Sequence, residues 1–233
     1  MNKLEQIEQQ FNFKYPELYK KLYENGMLDW GERGQNWYAT YWEKFKVNPP
    51  LLLFGNDIEL LEYNQIVEEI EAFKDPEDYR KTKPEFQFVP FAMTGGGDLY
   101  VFQFDKQLGD DVPITLVPHD CEEATILAKN LQDFIFRELL ECVAVIDEYS
   151  KAAEGDLKAN LFNMLKTHKP YLNLQQIIKI EEIYNRELFD YKYKIPNGRE
   201  FSETGLISED ELEETLKQEI GFADLDKEFV YMG

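Results

Sequence analysis

Residues 88–104 read FVPFAMTGGGDLYVFQF, with three consecutive glycines, Gly95, Gly96 and Gly97, between two runs of strand-forming residues. Glycine reaches positive φ without steric cost, so this segment can reverse the direction of the chain sharply. The apolar and aromatic residues on either side can then pair as antiparallel strands. The stretch therefore predicts a β-hairpin, and it indicates a fold more readily than a function.

The surrounding pattern predicts an α+β fold with a mainly antiparallel sheet flanked by helices. A second turn near Gly109 leads into residues 112–117, which predicts a three-strand meander with its last strand at an edge, because Pro113 and Pro118 bound it. Apolar residues at helical spacing predict helices before and after the sheet, and their stripes start at Leu4 and Leu131.

Two segments of the first half are harder to interpret. Pro49 and Pro50 interrupt the chain, and the short apolar run over residues 51–54 predicts a buried strand. Residues 27–45 contain many aromatic residues interspersed with glycines, which predicts a loop and a short strand. We expect this aromatic segment to be a contact surface.

Beyond Ser150 the pattern is helical. Asp156 and Asn173 are predicted N-caps, and Ser208 followed by Glu211 predicts a capping box for a helix that ends at Gly221. No long linker separates this region from the sheet. The prediction is an α+β domain over residues 1–150 and a helix-rich C-terminal extension over residues 151–233 that packs on it.

Composition restricts the classes of function. The 233 residues include 46 acidic and 25 basic side chains, for a net charge of -21. Nucleic-acid binding needs clustered lysine and arginine, and no such cluster occurs. The acidic surface either serves solubility alone or attracts a basic partner.

Location follows from the absence of certain segments in this sequence. The longest aliphatic run, residues 51–54, is too short to span a membrane, and no apolar stretch of the signal-peptide type follows Met1. We therefore expect a cytoplasmic protein with no membrane partner. Cys121 and Cys142 are expected to be reduced thiols packed in the core.

Candidate catalytic residues are few, and we expect no enzyme activity, cofactor or metal. His119 and Cys121 are either a thiol–imidazole pair or a loop histidine beside a packed cysteine; the second is favoured because catalytic pairs normally meet across the fold. Asp98 is either part of a phosphate site or a turn carboxylate that caps backbone amides, and no helix follows it to bind phosphate. Two histidines, His119 and His168, do not indicate a histidine-rich zinc site.

Candidate binding residues come from the aromatic segment. Trp30, Trp37, Tyr38 and Trp42 are either core residues or, if two or more are exposed, anchors for a protein partner, because tryptophan and tyrosine dominate binding hot spots. Together with Asp98 they are the predicted partner-binding residues.

Several short motifs occur in an order and spacing that resemble the SUKH superfamily. They are an opening helix from Leu4, Tyr15-Pro16, Tyr23-Glu24-Asn25-Gly26, Phe88-Val89-Pro90-Phe91-Ala92, Gly95-Gly96-Gly97-Asp98, Tyr100 to Asp105, and Asn130-Leu131-Gln132-Asp133-Phe134. The resemblance covers roughly residues 4 to 145. The superfamily groups bacterial toxin-immunity proteins with fungal Smi/Knr-type regulators of cell-wall synthesis.

This resemblance implies an α+β domain around a curved sheet that acts by binding protein partners and has no catalytic activity. In bacteria the implied partner is a toxin, commonly a nuclease or a nucleic-acid deaminase. We therefore expect an immunity protein that covers the active surface of a basic toxin domain. The alternatives are a regulatory scaffold of the fungal kind, and a small-ligand binder or enzyme with a pocket beside the glycine hairpin.

Overall fold

A computed structural model describes residues 1–194 and 198–233. The chain forms two compact units, and each unit is assembled from separate segments. Unit 1 comprises Met1–Asn25, Asp57–Phe134 and Phe222–Gly233, whereas unit 2 comprises Gly26–Asn56 and Ile135–Gly221. The division into domains at residue 150 stays a prediction.

Helices and strands are both present, and the predicted α+β class is confirmed. The helices are α1 (Lys3–Phe11), α2 (Glu17–Glu24), α3 (Glu43–Val47), α4 (Tyr63–Lys74), α5 (Leu131–Glu141), α6 (Leu157–His168), α7 (Leu174–Tyr184) and α8 (Glu209–Ile220), and a π-helix (Tyr38–Trp42) directly precedes α3. The strands are β1 (Glu59–Leu60), β2 (Phe88–Met93), β3 (Leu99–Gln103), β4 (Ile114–Val117), β5 (Glu123–Ala128), β6 (Phe189–Lys194), β7 (Glu200–Gly205) and β8 (Lys227–Val230). Within the described ranges, no helix combines the length and the apolar character needed to cross a bilayer.

Unit 1 is built on a six-stranded sheet with the strand order β1-β2-β3-β4-β5-β8, in which every neighbouring pair is antiparallel. The glycine hairpin joins β2 to β3 and places Met93 opposite Leu99. Across the turn, the Thr94 N–H donates to the carbonyl of Asp98 at 2.8 Å. Gly97 adopts a φ of +99°, a conformation that side chains with a Cβ rarely reach.

The sheet is wider than the predicted meander. β4 lies between β3 and β5 and not at an edge, because Pro113 and Pro118 flank the strand and leave its ladder intact. β8 comes from the end of the chain and pairs with β5. The sequence pattern did not predict β8, because four residues of mixed polarity carry no clear alternation.

The core of unit 1 is rich in aromatic rings. Phe91 and Phe102 lie on neighbouring strands with ring centroids 4.9 Å apart. Tyr19 of α2 packs edge-on against Phe102 at 5.2 Å, and Phe134 in the first turn of α5 packs edge-on against Phe91 at 5.7 Å. Edge-to-face pairs of this kind stabilise a core beyond the area that they bury.

A buried carboxylate connects α1 to the start of α2. Glu8 accepts a hydrogen bond from the Tyr15 N–H at 2.8 Å and pairs with Lys14 and Lys20 at 3.0 and 3.3 Å. Burial by itself raises the pKa of Glu8, but the bonds from Lys14, Tyr15 and Lys20 outweigh burial and lower this pKa. The Tyr15-Pro16 corner is therefore anchored to α1.

In unit 2, residues 51–54 are buried but form turns, so the predicted strand is wrong. Leu52 has a φ of +53°, and its N–H donates to Nε2 of His168 at 3.0 Å. A side chain of α6 thus takes the place of a strand partner. An apolar run indicates burial, but it does not distinguish a strand from a buried turn.

The predicted helix ends in unit 2 are confirmed. The side chains of Asp156 and Asn173 accept from backbone N–H groups at the starts of α6 and α7. Ser208 caps α8 by accepting from the N–H of Glu211 at 3.3 Å, but only this half of the predicted capping box forms, because the Glu211 carboxylate accepts from Arg186 at 2.8 and 2.9 Å. Gly221 ends α8 with a φ of +57°.

A two-stranded sheet, β6 with β7, interrupts the helices of unit 2. Its last residue, Gly205, lies so close to the chain at Ala144 that a Cβ there would be 2.0 Å from the Ala144 carbonyl oxygen. The hydroxyl of Tyr191 donates to that same oxygen at 2.9 Å, and the Leu206 N–H donates to the carbonyl of Val143 at 2.8 Å. Glycine is therefore required at position 205 by close backbone approach.

We expect Gly205→Ala to lower the free energy of unfolding by about 3 kcal/mol or more, because the added methyl would overlap backbone atoms that cannot rotate away. The matched control is Gly221→Ala, which has a positive φ but open space around it and should cost about 1 kcal/mol. Urea unfolding at pH 7 measures both variants. Equal losses in the two would contradict the close-contact explanation.

His168 makes the stability of the fold pH-dependent. Its Nδ1 donates to the carbonyl of Met164 at 2.7 Å, its Nε2 accepts from Leu52, and burial lowers its pKa from 6.5 to about 4. Between these values the unfolded chain binds a proton that the folded chain does not. The contribution of His168 to stability therefore falls as pH drops from 6.5 to about 4, by up to about 3 kcal/mol.

We expect His168→Gln to be about 1–3 kcal/mol less stable than the native chain at neutral pH, because two buried hydrogen bonds are perturbed. At mildly acidic pH the difference in free energy of unfolding should narrow or reverse, because glutamine does not titrate and its contribution to stability does not fall with pH. Urea unfolding of the native chain and of the variant, at neutral and at mildly acidic pH, measures this difference in stability. A stability difference that does not change with pH would show that the buried imidazole is not the titrating group.

Candidate partner-binding site

Residues 37–45 form a continuous helical segment in unit 2, in which the π-helix leads directly into α3. The predicted loop and short strand are therefore wrong here. Aromatic side chains four residues apart stack on one another, Tyr38 on Trp42 with centroids 4.8 Å apart and Tyr41 on Phe45 at 5.6 Å. This spacing is typical of neighbours on a helix surface, and it is the signal that the sequence interpretation missed.

The four predicted aromatic residues differ in burial. Trp42 is only 2% exposed and packs edge-on against Phe54 at 5.9 Å, so it is a core residue. Trp30 and Trp37 are half-buried, and Nε1 of Trp37 donates to the carbonyl of Trp30 at 2.6 Å. Tyr38 is 53% exposed. Of the four, Tyr38 is therefore the one that offers most of its ring to a partner.

Glu154, distant in sequence, binds two of these aromatic residues. Its carboxylate accepts from the hydroxyl of Tyr38 at 2.8 Å and from Nε1 of Trp42 at 2.7 Å. Partial burial and the bond to Glu154 raise the pKa of Tyr38 to about 12, so its hydroxyl stays protonated and donates. Glu154 carries no local sequence signal, because nothing near it in the chain marks a glutamate that meets an aromatic ring across the fold.

Tyr38 and Glu154 border a cleft of about 220 Å³. The same cleft is lined by Tyr149, which is 83% exposed, and by Glu148 and Lys151. We call the set Tyr38, Glu148, Tyr149 and Glu154 the Tyr38–Tyr149 patch. It presents two exposed phenol rings and two exposed carboxylates on one surface of unit 2.

The loop that carries Tyr149 is held by local hydrogen bonds. Oδ1 of Asp147 accepts from the N–H of Tyr149 at 2.9 Å and from the hydroxyl of Ser150 at 3.0 Å. The Asp147 N–H in turn donates to the Ser150 hydroxyl at 3.0 Å. The bonds from Ser150 and Tyr149 also lower the pKa of Asp147, so its carboxylate stays ionised and keeps the loop in place.

Asp98 and the three glycines lie in unit 1, whereas the aromatic residues belong to unit 2. Oδ1 of Asp98 accepts from the N–H of His119 at 3.0 Å and contacts Nδ1 of the same histidine at 2.7 Å. The turn is held further by Asp57, whose carboxylate accepts from the Gly95 N–H at 2.8 Å. Asp98 is thus a turn carboxylate bound to a backbone amide and to an imidazole.

In the part of the chain that the structure describes, the imidazole of His119 contacts Asp98 and the thiol of Cys121 contacts Asp120, and no hydrogen bond joins His119 to Cys121. The sulfur of Cys121 lies 3.4 Å from Oδ1 of Asp120, and this contact raises the pKa of the thiol, which disfavours a thiolate nucleophile. Cys121 is exposed, so the expectation that both cysteines are core residues is wrong for Cys121 and confirmed for Cys142.

We expect Trp42→Ala to lower the free energy of unfolding by about 3–5 kcal/mol, because it removes a fully buried ring. Tyr38→Ala should cost about 1–2 kcal/mol, since this ring is half exposed and loses one hydrogen bond. Chemical unfolding followed by tryptophan fluorescence measures the first loss, and circular dichroism measures both. Comparable losses would contradict the assignment of Trp42 to the core and Tyr38 to the surface.

Comparison with known proteins is informative for the N-terminal part of the chain. Residues 2–137 match the SMI1 / KNR4 family (SUKH-1), and this range is more than half of the 233 residues. Comparisons with curated proteins and with solved structures give no match. The matched range contains the glycine hairpin and the aromatic segment, and it ends before Tyr149 and Glu154.

Proposed function

The chain belongs to the SMI1 / KNR4 family (SUKH-1), and from this membership we propose that it is a cytoplasmic protein-binding module without enzymatic activity. The observation that carries the proposal is the Tyr38–Tyr149 patch. Two exposed tyrosines there border a small cleft beside two carboxylates. Tyrosine is enriched in binding hot spots because its ring buries a large apolar area while its hydroxyl keeps a polar partner.

The Tyr38 ring and the backbone of the Tyr149 loop are ordered before any partner arrives. Tyr38 stacks on the buried ring of Trp42 and donates to Glu154, and the loop of Tyr149 is held by Asp147 and Ser150. Binding therefore has to order the exposed side chain of Tyr149 but not the Tyr38 ring or the loop backbone. Preorganisation of this kind increases affinity, because ordering each free side chain costs about 0.5–1.5 kcal/mol.

The charge of the chain favours a basic partner. Its net charge is -21, and Glu148 and Glu154 contribute carboxylates to the patch itself. Complementary charge speeds encounter and selects partners more than it raises final affinity. In this proposal the carboxylates attract the partner and the tyrosine rings hold it.

The more specific proposal is immunity against a toxin. A nuclease or nucleic-acid deaminase presents a basic cleft to its substrate, and an acidic surface with exposed tyrosines can occupy that cleft and exclude nucleic acid. An interface of ordinary size would bury about 1,200–2,000 Å² in total. Family membership supports this proposal and also the regulatory-scaffold alternative, so the partner has to be tested directly.

The test is co-expression with the toxin encoded beside the gene, scored by growth and then by isolation of the complex. We expect the native chain to restore growth and to bind the toxin. Tyr38→Ala and Tyr149→Ala should each weaken binding at least about tenfold, which corresponds to about 1.4 kcal/mol. Titration calorimetry measures the affinities.

The matched control is Tyr79→Ala, which removes another exposed tyrosine, 65% exposed, from unit 1. The affinity of the Tyr79→Ala variant for the toxin should stay within about twofold of the affinity of the native chain. Rescue of growth with unchanged affinity in the Tyr38 and Tyr149 variants would exclude the patch but not immunity. Absence of both rescue and complex would exclude immunity against that toxin.

A further inference from the structure

A second group of chemically active side chains lies in unit 1 at one end of the sheet. β3 and β4 pair with Leu99 opposite Val117, so the residue before β3 and the residues after β4 come together. Potential metal ligands occupy these positions, and they are Asp98, His119, Asp120 and Cys121, which we call the Asp98–Cys121 cluster. One ligand atom from each of Asp98, His119 and Asp120 lies within 4.8 Å of the others.

We propose that the Asp98–Cys121 cluster binds one zinc ion. It combines an imidazole nitrogen, two carboxylates and a sulfur that lies 3.4 Å from Oδ1 of Asp120. Zinc takes nitrogen, oxygen and sulfur ligands in a tetrahedral arrangement. Calcium and magnesium prefer oxygen alone, so a set with imidazole and thiol selects a transition metal.

The spacing of the ligand atoms suits this geometry. Bond lengths of about 2.0–2.3 Å place the ligand atoms of a tetrahedral zinc site roughly 3.3–3.7 Å apart. Nδ1 of His119 and Oδ1 of Asp98 are now 2.7 Å apart, and the other separations in the group of three are no longer than 4.8 Å. Movements on the order of 1 Å, within the reach of exposed side chains, bring the ligand atoms of Asp98, His119 and Asp120 to bonding distance. The sulfur of Cys121 lies outside this group of three, and its exposed side chain has to rotate further to become the fourth ligand.

The backbone that carries three of the ligands is anchored at both ends. Tyr231 is fully buried, and its hydroxyl donates to the carbonyl of Pro118 at 2.6 Å while its N–H donates to the carbonyl of Glu122 at 3.0 Å. The segment between Pro118 and Glu122 therefore has a defined path. A site whose ligands start from an ordered backbone loses less conformational entropy when the ion binds.

Zinc would also change the local electrostatics. The carboxylates of Asp98 and Asp120 repel each other at this distance, and a divalent cation between them converts the repulsion to attraction. On coordination the thiol of Cys121 releases its proton to solvent. The ion would join the turn between β2 and β3 to the connection between β4 and β5 and would stabilise this end of the sheet.

The experiment uses the complete chain, without a histidine tag and freed of metal with a chelator. Zinc is titrated by calorimetry, and cobalt replaces it as a spectroscopic probe of geometry. We expect saturation at one ion per chain, the visible absorption of tetrahedral cobalt, and a thiolate-to-cobalt charge-transfer band in the near ultraviolet that Cys121→Ser removes. Thermal unfolding should shift upward when zinc is added.

Asp98→Asn and His119→Ala should each weaken zinc binding at least about tenfold and abolish the zinc-dependent shift. Glu122→Gln, which removes a neighbouring carboxylate outside the cluster, is the matched control and should bind as the native chain does. His119 is 46% exposed, so its variant should remain folded, and unfolding without zinc checks this. Failure of the native chain to saturate, or equal affinity in all variants, would mean an adventitious ion only and would overturn the proposal.

Discussion

The antiparallel register of β2, β3 and β4 is the constraint on which unit 1 depends. Gly97 allows the turn to close so that Met93 faces Leu99, and Leu99 then faces Val117. A slip of one residue would move every side chain of a strand to the other face of the sheet. This register also places Asp98 beside His119. The ladder is irregular between Pro90 and Ala92, and beyond that point Val89 pairs with Phe102, whose ring lies in the core.

Unit 2 depends on a different interaction, in which side chains of α6 form hydrogen bonds with the irregular backbone between Lys46 and Leu52. Asn163 donates to the carbonyl of Lys46 at 3.0 Å and Thr167 donates to the carbonyl of Pro49 at 2.9 Å, while His168 accepts from Leu52. Buried backbone groups that have no ladder partner must find another one. Buried turns can replace a strand here because α6 supplies hydrogen-bond partners for their backbone groups. The stability of unit 2 therefore depends on a neutral His168 imidazole, which accepts from the Leu52 N–H.

The proposed binding surface combines two parts of the sequence. Tyr38 belongs to the range that matches the SMI1 / KNR4 family, whereas Glu148, Tyr149 and Glu154 lie beyond it. The family match therefore includes Tyr38, and residues outside the matched range complete the Tyr38–Tyr149 patch.

Local chemistry along the chain was sufficient for the glycine hairpin, the α+β class, the caps at Asp156 and Asn173 and the family resemblance, because each depends on residues that are close in sequence. The strand over residues 51–54, the edge position of β4 and the loop around Tyr38 were mispredicted. The turns over residues 51–54 depend on a remote partner, since His168 accepts from the Leu52 N–H. The edge position was wrong because β5, the next strand along the chain, pairs with β4. The helix around Tyr38 has a local signal, aromatic rings four residues apart, that the interpretation missed, and only the contact of Tyr38 with Glu154 is remote. Hydrogen bonds between residues more than a hundred positions apart produce no periodic pattern in a sequence. The buried turns, strand β8 and the Tyr38–Tyr149 patch are therefore determined only by the tertiary structure, which brings these groups together.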